Sequence, residues 1–120
     1  MKMYLLSLCL IVLTVSCKRD NVVSNNACTA ADPLIVPWVK TLTATLNNPL
    51  CLSSLFQARY KGQTVYYAAM NDPTCESIPG RTLLDCTGQT IKIYGPTKQE
   101  QQAFADEVSV VKTLYVSKRT

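Results

Sequence analysis

Histidine is absent from this chain of 120 residues, and glycine is scarce, with only four residues. Without histidine the chain cannot form a histidine-dependent catalytic triad or the paired-histidine helix of zinc metalloproteases. Four glycines are too few for the glycine-rich loops that hold nucleotide phosphates. The net charge is only +4, and the basic pair Lys118-Arg119 does not amount to a nucleic-acid-binding surface. We therefore expect that the chain is not an enzyme and does not bind nucleic acid.

A long hydrophobic run is also missing, because the apolar segment at residues 4–15 has only about twelve residues. As a helix it would extend about 18 Å, whereas a transmembrane helix needs about 20 residues. Lys2 precedes the run and Ser16-Cys17 follows it, which is the order of a signal peptide. We predict a cleaved signal peptide over residues 1–16, and a permanent transmembrane helix is the alternative.

The residues before Cys17, Leu13-Thr14-Val15-Ser16, resemble a bacterial lipobox, in which the cysteine after a small residue is lipidated. Thr14 departs from the pattern, since leucine is usual at that position. We predict that Cys17 becomes the acylated N-terminus, because two or more acyl chains hold a protein firmly in a lipid bilayer. Residues 17–31 would then be the lipidated cysteine and a flexible tether that reaches about 20 Å. Residues 32–120 would form a single globular domain, and simple secretion is the alternative.

Six cysteines are many for so short a chain, and the signal peptide divides them by role. Cys9 leaves with the signal peptide, and Cys17 carries lipid. The remaining four are Cys28, Cys51, Cys75 and Cys86. An even number in a small exported domain favours two disulfides. A zinc site is the alternative, but it requires C-x-x-C pairs that the sequence lacks, so we expect no metal and no other cofactor.

Hydrophobic periodicity predicts an α+β fold in the order α-β-β-β-β-α-β. Asp32 caps a first helix whose apolar residues, Ile35 and Trp38 among them, recur until residue 46, although Pro37 favours a regular helix only from that point. Trp38 is interpreted as the largest core residue, with ligand stacking as the alternative. Strands are predicted at residues 55–60, 63–70, 81–86 and 89–94, with hairpin turns at 61–62 and 87–88.

The C-terminal quarter predicts a second helix followed by a short strand. Thr97 and Glu100 have the spacing of a capping box, and apolar residues continue at helical spacing through Val108 and Val111. Residues 113–116 can add a fifth strand at one edge. We therefore expect a four-stranded antiparallel meander, extended at an edge, with two helices covering one face.

The predicted topology also pairs the cysteines. Strand one starts beside Cys51, and strand two returns to the same end of the sheet, where the next loop carries Cys75. Strand three then runs to Cys86 at the opposite end, where the first helix starts just after Cys28. A bridge between positions 75 and 86 would have to span about 17 Å, against a Cα separation limit near 7 Å. We therefore predict disulfides Cys51–Cys75 and Cys28–Cys86.

Several motifs follow one another along residues 1–94. They are the signal ending Ser16-Cys17-Lys18, the segment Pro33-Leu34 with Pro37-Trp38-Val39, the YKGQTVYY hairpin at 60–67 and LDCTG at 84–88. Together they resemble small uncharacterised lipoproteins of Bacteroidota, which share a PLxxLPWL helix, a Y-x-G-x-x-V-Y hairpin and a YDC-x-G turn. The resemblance implies an envelope lipoprotein of the outer membrane, on its periplasmic face or the cell surface, since Lys18 follows the lipidated cysteine. It brings no activity or catalytic residue.

Function is predicted in two classes. In the first, the domain is a membrane-tethered structural or binding module, and Tyr66 with Tyr94 forms a solvent-facing aromatic patch for a protein or glycan partner. The alternative for these tyrosines is the bare second face of a half-covered sheet. In the second class, the chain is an inhibitor or immunity protein that blocks an extracytoplasmic hydrolase with the loop at 71–80, which carries Asp72 and Glu76. Oligomeric state is left open.

Overall fold

The computed structural model describes residues 24–47, 50–70, 75 and 80–117. Within them, two α-helices and a five-stranded antiparallel sheet follow one another in the predicted order. The elements are α1 Pro37–Leu46, β1 Ser53–Tyr60, β2 Gln63–Met70, β3 Arg81–Leu84, β4 Thr90–Tyr94, α2 Lys98–Glu107 and β5 Val108–Val116. The strand order is β4-β3-β2-β1-β5, so the fold is α+β and β5 is the predicted fifth strand at an edge. No helix in these ranges is long and apolar enough to cross a membrane.

The hairpin of β1 and β2 forms the centre of the sheet. Its register pairs Tyr60 with Gln63 around a two-residue turn. Lys61 and Gly62 have φ angles of 48° and 77°, and two positive φ values are what a type I′ turn requires. The predicted bounds of β2 and the predicted turn are confirmed, whereas β1 begins two residues earlier than expected.

The two helices cover opposite faces of the sheet, and the prediction that they share one face is wrong. Adjacent strand residues point to opposite sides, so Tyr66 and Tyr67 face different layers. Tyr66 packs beneath α1 and its Val39, whereas Tyr67 packs against Phe104 of α2. Both faces of β1 and β2 carry large apolar side chains, and covering only one of them would leave the other in water.

The first helix begins where the proline pattern suggested. Residues Pro33–Ile35 form a short 3-10 turn, and the carboxylate of Asp32 accepts a hydrogen bond from the backbone N–H of Leu34 at 3.0 Å. The α-helix begins at Pro37. Ile35, which was expected on the apolar face of the helix, lies in the 3-10 turn and is 52% exposed.

The second helix is shorter and the last strand is longer than predicted. Thr97 caps α2 by accepting a hydrogen bond from the N–H of Glu100, as the capping box indicated. The helix ends at Glu107, however, and Val108 is the first residue of β5. Placing Val108 and Val111 in the helix was therefore wrong. This segment pairs with the free edge of β1, and its β-branched residues suit an extended backbone.

The turn of the second hairpin is wider than expected, because β3 ends at Leu84. The N–H of Asp85 donates to the carbonyl of Gln89 at 2.8 Å, which closes the turn. One carboxylate oxygen of Asp85 accepts hydrogen bonds from the N–H and hydroxyl of Thr87, both at 2.8 Å. The predicted turn-capping role of Asp85 is confirmed, while Cys86 lies in the turn and not in the strand.

Both predicted disulfides are present. Cys28 is bonded to Cys86 with Cα atoms 5.3 Å apart, and Cys51 is bonded to Cys75 with Cα atoms 5.9 Å apart. The pairing follows the end of the sheet at which each cysteine lies, as the topology predicted. Each bridge therefore fixes one end of the sheet.

Candidate functional site

A cleft of about 170 Å³ lies on the face of the sheet that α1 covers, between the sheet and the segment of residues 24–33, which we call the strap. The outer wall of the cleft comes from the strap and consists of small side chains and one disulfide cysteine. These residues are Ala27, Cys28, Ala30, Ala31 and Pro33. The floor comes from three strands and consists of Gln57, Thr64, Tyr66 and Lys112. The surface that the cleft exposes is mostly polar, although small side chains form its outer wall.

The strap is held against the sheet by covalent and hydrogen bonds. The Cys28–Cys86 disulfide ties it to the turn between β3 and β4. The carbonyl of Cys86 accepts hydrogen bonds from the N–H of Ala27 at 2.8 Å and from the indole N–H of Trp38 at 3.1 Å. Ala27 is buried in the same apolar cluster as Val36. Ala27 and Cys28, which the sequence assigned to the tether, are thus tied to the folded domain, and residues 17–23 of the predicted tether lie outside the described ranges.

The floor follows from the strand register. Gln57 of β1 lies directly opposite Tyr66 of β2 on one side and Lys112 of β5 on the other. Direct cross-strand partners share a face, with Cβ atoms about 5 Å apart. Thr64 is two residues before Tyr66 and therefore points to the same side. These four positions lie on the same face of three adjacent strands, so their side chains meet at the floor of the cleft.

Tyr66 is the buried polar group of the site. Its side chain is only 1% exposed, and its ring meets the indole of Trp38 edge-on with centroids 5.6 Å apart. The hydroxyl donates a hydrogen bond to Sγ of Cys28 at 3.6 Å. Burial raises the pKa of Tyr66 above its ordinary value, so the hydroxyl is neutral at physiological pH. Because a disulfide sulfur is a weak acceptor, this hydroxyl can exchange it for a stronger partner in the cleft.

Charged groups of both signs lie near the cleft. Among the described residues, Lys112 at the rim is the charged side chain of the lining, and Asp32 lies between the lining residues Ala31 and Pro33. Arg59 lies directly opposite Thr64 in the register, and its guanidinium donates to the carbonyl of Gly62 at 3.1 Å. The two described carboxylates on this side of the sheet are Asp32 and Asp85, and hydrogen bonds within their own turns engage both. Desolvation acts to raise the pKa of Asp85, but hydrogen bonds from Thr87 and its neighbours outweigh it and lower that pKa.

A second polar cluster lies on the opposite face, where the end of α2 meets β4. The carboxylate of Glu107 accepts hydrogen bonds from the ammonium of Lys92 at 2.9 Å and from the hydroxyl of Tyr94. Burial, followed by the hydrogen bond to Glu107, raises the pKa of Tyr94 to about 12. The hydrogen bonds from Tyr94 and Lys92 lower the pKa of Glu107. Every polar group here is paired within the cluster, so we interpret it as a structural contact between helix and sheet.

The predicted aromatic patch of Tyr66 and Tyr94 is wrong. The two side chains are 1% and 2% exposed and point to opposite faces of the sheet, where α1 and α2 cover them. Trp38, interpreted as a core residue, packs on Tyr66. Asp72 and Glu76 lie outside the described residues, as does the lipidation candidate Cys17. In the described ranges no group of three side chains of the metal-ligating types converges.

Sequence analysis missed Gln57, Thr64 and Lys112. Two of them could have been predicted, because the alternation of side chains along a strand places Gln57 and Thr64 on the same face of the predicted hairpin as Tyr66. Lys112 could not be added, since residue 112 preceded the predicted last strand. The strap that closes the cleft was expected to be a tether.

No protein-family model matches the sequence, and no curated protein or solved structure matches it either. The functional interpretation therefore depends on the geometry of the chain and on its sequence signals.

Proposed function

We propose that the chain is a lipid-anchored lipoprotein of the bacterial outer membrane whose domain binds a small sugar in the cleft between strap and sheet. The anchor is supported by the signal-like residues 1–16 and by the lipobox-like residues before Cys17. The resemblance to Bacteroidota lipoproteins supports the same location. The binding role is carried by one observation, a cleft beneath the strap whose floor consists of polar side chains.

The side chains of the cleft suit a sugar. The amide of Gln57, the hydroxyl of Thr64 and the hydroxyl of Tyr66 each donate and accept hydrogen bonds, which matches the hydroxyl groups of a pyranose ring. At about 170 Å³ the cleft is smaller than the roughly 300–1,000 Å³ of sites for drug-sized ligands, so it holds about one sugar unit.

The proposed anchor would keep the cleft near the membrane. Cys28, in the wall of the cleft, follows Cys17 by eleven residues. A fully extended chain of that length spans at most about 40 Å. A domain held this way meets glycans of the envelope at high local concentration. The strap would then have two roles, since it continues from the tether and forms part of the binding site.

Labelling with an acyl probe tests the anchor. The wild-type protein is expected to carry the label and Cys17→Ala to lose it. Cys9→Ala is the matched control, because Cys9 lies in the predicted signal peptide and its replacement should leave the label unchanged. An unlabelled wild-type protein, or a label that persists in Cys17→Ala, would return the chain to the class of simple secreted proteins.

Ligand-observed NMR with a library of neutral and acidic monosaccharides tests the binding role. At least one sugar is expected to bind the wild-type protein and to lose binding in Thr64→Trp, whose indole fills the cleft. Thr113→Trp is the matched control, because Thr113 pairs with Phe56 on the opposite face and is exposed. Absence of any sugar binding, or equal binding by Thr64→Trp, would exclude the cleft as a sugar site.

A second function, inhibition of an extracytoplasmic hydrolase, is favoured by the Cys51–Cys75 disulfide. This bridge fixes the loop between β2 and β3 to the residues that precede β1. The double variant Asp72→Ala, Glu76→Ala keeps the bridge and should release a stoichiometric hydrolase partner in a pulldown. If no hydrolase is captured, or if the variant still binds it, this function is excluded.

A further inference from the structure

Among the described residues that line the cleft, the one charged side chain is basic. Lys112 lies at the rim, and Arg59 follows in the next row of the same face. Among the described residues the only ion pair joins Lys92 to Glu107 on the far side of the sheet, so the Lys112 ammonium has no carboxylate partner there. The described carboxylates other than Asp32 and Asp85 all belong to α2, which covers the opposite face.

We infer that the ligand of the cleft is an acidic sugar, a monosaccharide unit with a carboxylate that pairs with Lys112. This inference rests on the proposed sugar-binding function and adds the chemical class of the ligand. In this arrangement Gln57 lies between the ammonium of Lys112 and the hydroxyl of Tyr66 and contacts the ring hydroxyls. Thr64 adds a donor in the neighbouring row.

Other small anions fit the site less well. An amino acid carries an ammonium group that needs an anionic partner, and none of the described residues of the lining is a carboxylate. A simple carboxylate such as acetate would pair with Lys112 but leave the buried Tyr66 hydroxyl with its sulfur acceptor. A uronic acid satisfies both ends, because its carboxylate meets the cation while its hydroxyls meet the amide and hydroxyl groups of the floor.

A titration of the full-length purified chain with three probes tests the inference, with backbone amide NMR shifts as the readout. The probes are glucuronate, glucose and acetate. Glucuronate is expected to shift the amides of Gln57, Thr64 and Lys112 and to bind about three- to tenfold more tightly than glucose at low salt, because Lys112 is exposed and its ion pair is screened by water. The difference should shrink in about 1 M salt, where charges are screened within about 3 Å.

Two variants of equal charge separate a local from a global effect. Lys112→Gln is expected to weaken glucuronate binding about three- to tenfold and to leave glucose binding unchanged. Lys98→Gln removes one charge from α2 on the opposite face and should change neither affinity. Equal affinity for glucose and glucuronate, or an unaffected Lys112→Gln, would overturn the acidic-sugar inference while the sugar-binding function stands.

The remaining outcomes are also decisive. If acetate binds as tightly as glucuronate, the site is a simple anion site and the inference is wrong. If glucuronate binds but shifts amides outside the cleft, the inference is also wrong. If none of the three probes and no sugar of the library binds, the proposed function fails together with the inference.

Discussion

Gly88 lies beneath the indole ring of Trp38, so its replacement by alanine probes how α1 is seated on the sheet. The φ angle of Gly88 is 86°, in the left-handed region that side chains rarely adopt. A Cβ atom built at this position would be 2.8 Å from the Cδ2 atom and 2.9 Å from the Cγ atom of Trp38. The ring must therefore move in Gly88→Ala, and with it the hydrogen bond from its N–H to the carbonyl of Cys86.

The expected cost of Gly88→Ala has three contributions. The left-handed backbone costs about 1 kcal/mol for a residue with a Cβ atom. Overpacking against a ring costs about 1 to 3 kcal/mol, and loss of the Trp38 hydrogen bond about 1 kcal/mol. Together these lower the free energy of unfolding by about 3 to 5 kcal/mol, which is a large part of the roughly 5 to 15 kcal/mol typical of a domain. A decrease of Tm by about 15 to 30 °C is expected for a domain of this size.

Urea unfolding followed by fluorescence measures both the stability and the cause, because Trp38 is the only tryptophan. Gly62→Ala is the matched control: Gly62 also has a positive φ, of 77°, but a Cβ atom there would meet no atom within 4 Å. It should cost only the backbone contribution of about 1 kcal/mol and leave the native emission spectrum unchanged. If Gly88→Ala costs no more than Gly62→Ala and keeps the wild-type emission, the packing of Trp38 on this turn is refuted.

Three other variants perturb a cross-link, a polar cluster and a sheet edge. Replacing both cysteines of the Cys51–Cys75 bridge, which are 24 residues apart, should lower the free energy of unfolding by about 3 kcal/mol in urea, because the bridge restricts the unfolded chain. Hydrogen bonds from Tyr94 and Lys92 lower the pKa of Glu107 in the folded protein. The ionised carboxylate therefore stabilises the fold at any pH above the pKa that Glu107 has in the unfolded chain. This stabilisation is lost as the pH falls through the lower pKa of the folded state. Glu107→Gln should therefore reduce the fall in Tm between neutral and acidic pH. Lys112→Val removes the charge within the edge strand β5 and should increase self-association in sedimentation velocity.

The variants of Glu107 and Lys112 each have a matched control, and the bridge variant is compared with the wild type. The bridge variant retains the Cys28–Cys86 disulfide, so a variant with wild-type stability would show that the shorter cross-link is dispensable. Asp106→Asn is the charge-matched control on the same helix, because the carboxylate of Asp106 accepts a hydrogen bond from Gln102 and lies outside the Lys92–Glu107 ion pair. An identical pH profile for Glu107→Gln and wild type would contradict the role of the cluster. Lys40→Val, on the exposed side of α1, should sediment as the wild type does. If Lys112→Val also sediments as the wild type, the bulges in β5 are enough to protect the edge.

The parts of the fold that local chemistry decides could be predicted from the sequence. The Lys61-Gly62 pair needs positive φ angles, and alternation on either side of it determines the register of β1 and β2. The same alternation, followed through the later turns, determines which end of the sheet each cysteine reaches. The disulfides Cys28–Cys86 and Cys51–Cys75 were therefore predictable from topology, although their spacing alone allows three pairings.

The parts that tertiary contacts decide could not be predicted. Val108 and Val111 continue the helical spacing of α2, yet the unpaired edge of β1 offers backbone partners that an isolated helix cannot provide. Pairing with that edge outweighs the local periodicity. The patch of Tyr66 and Tyr94 was wrong for a related reason, since it assumed that both helices lie on one face. Nothing local to either helix says which side of the sheet its connection crosses.

The cleft shows how these two kinds of information combine. Gln57 and Thr64 share a face by alternation alone, but they become a site only because the strap lies over them and β5 brings Lys112 alongside. The strap lies there because Cys28 is bonded to Cys86. The disulfide could be predicted from the sequence, but the composition of the strap predicted a flexible tether and not a wall of the cleft. A covered cleft can therefore be predicted from two signals together. One is a set of polar residues on one face of a hairpin, and the other is a disulfide that brings a neighbouring segment back to that face.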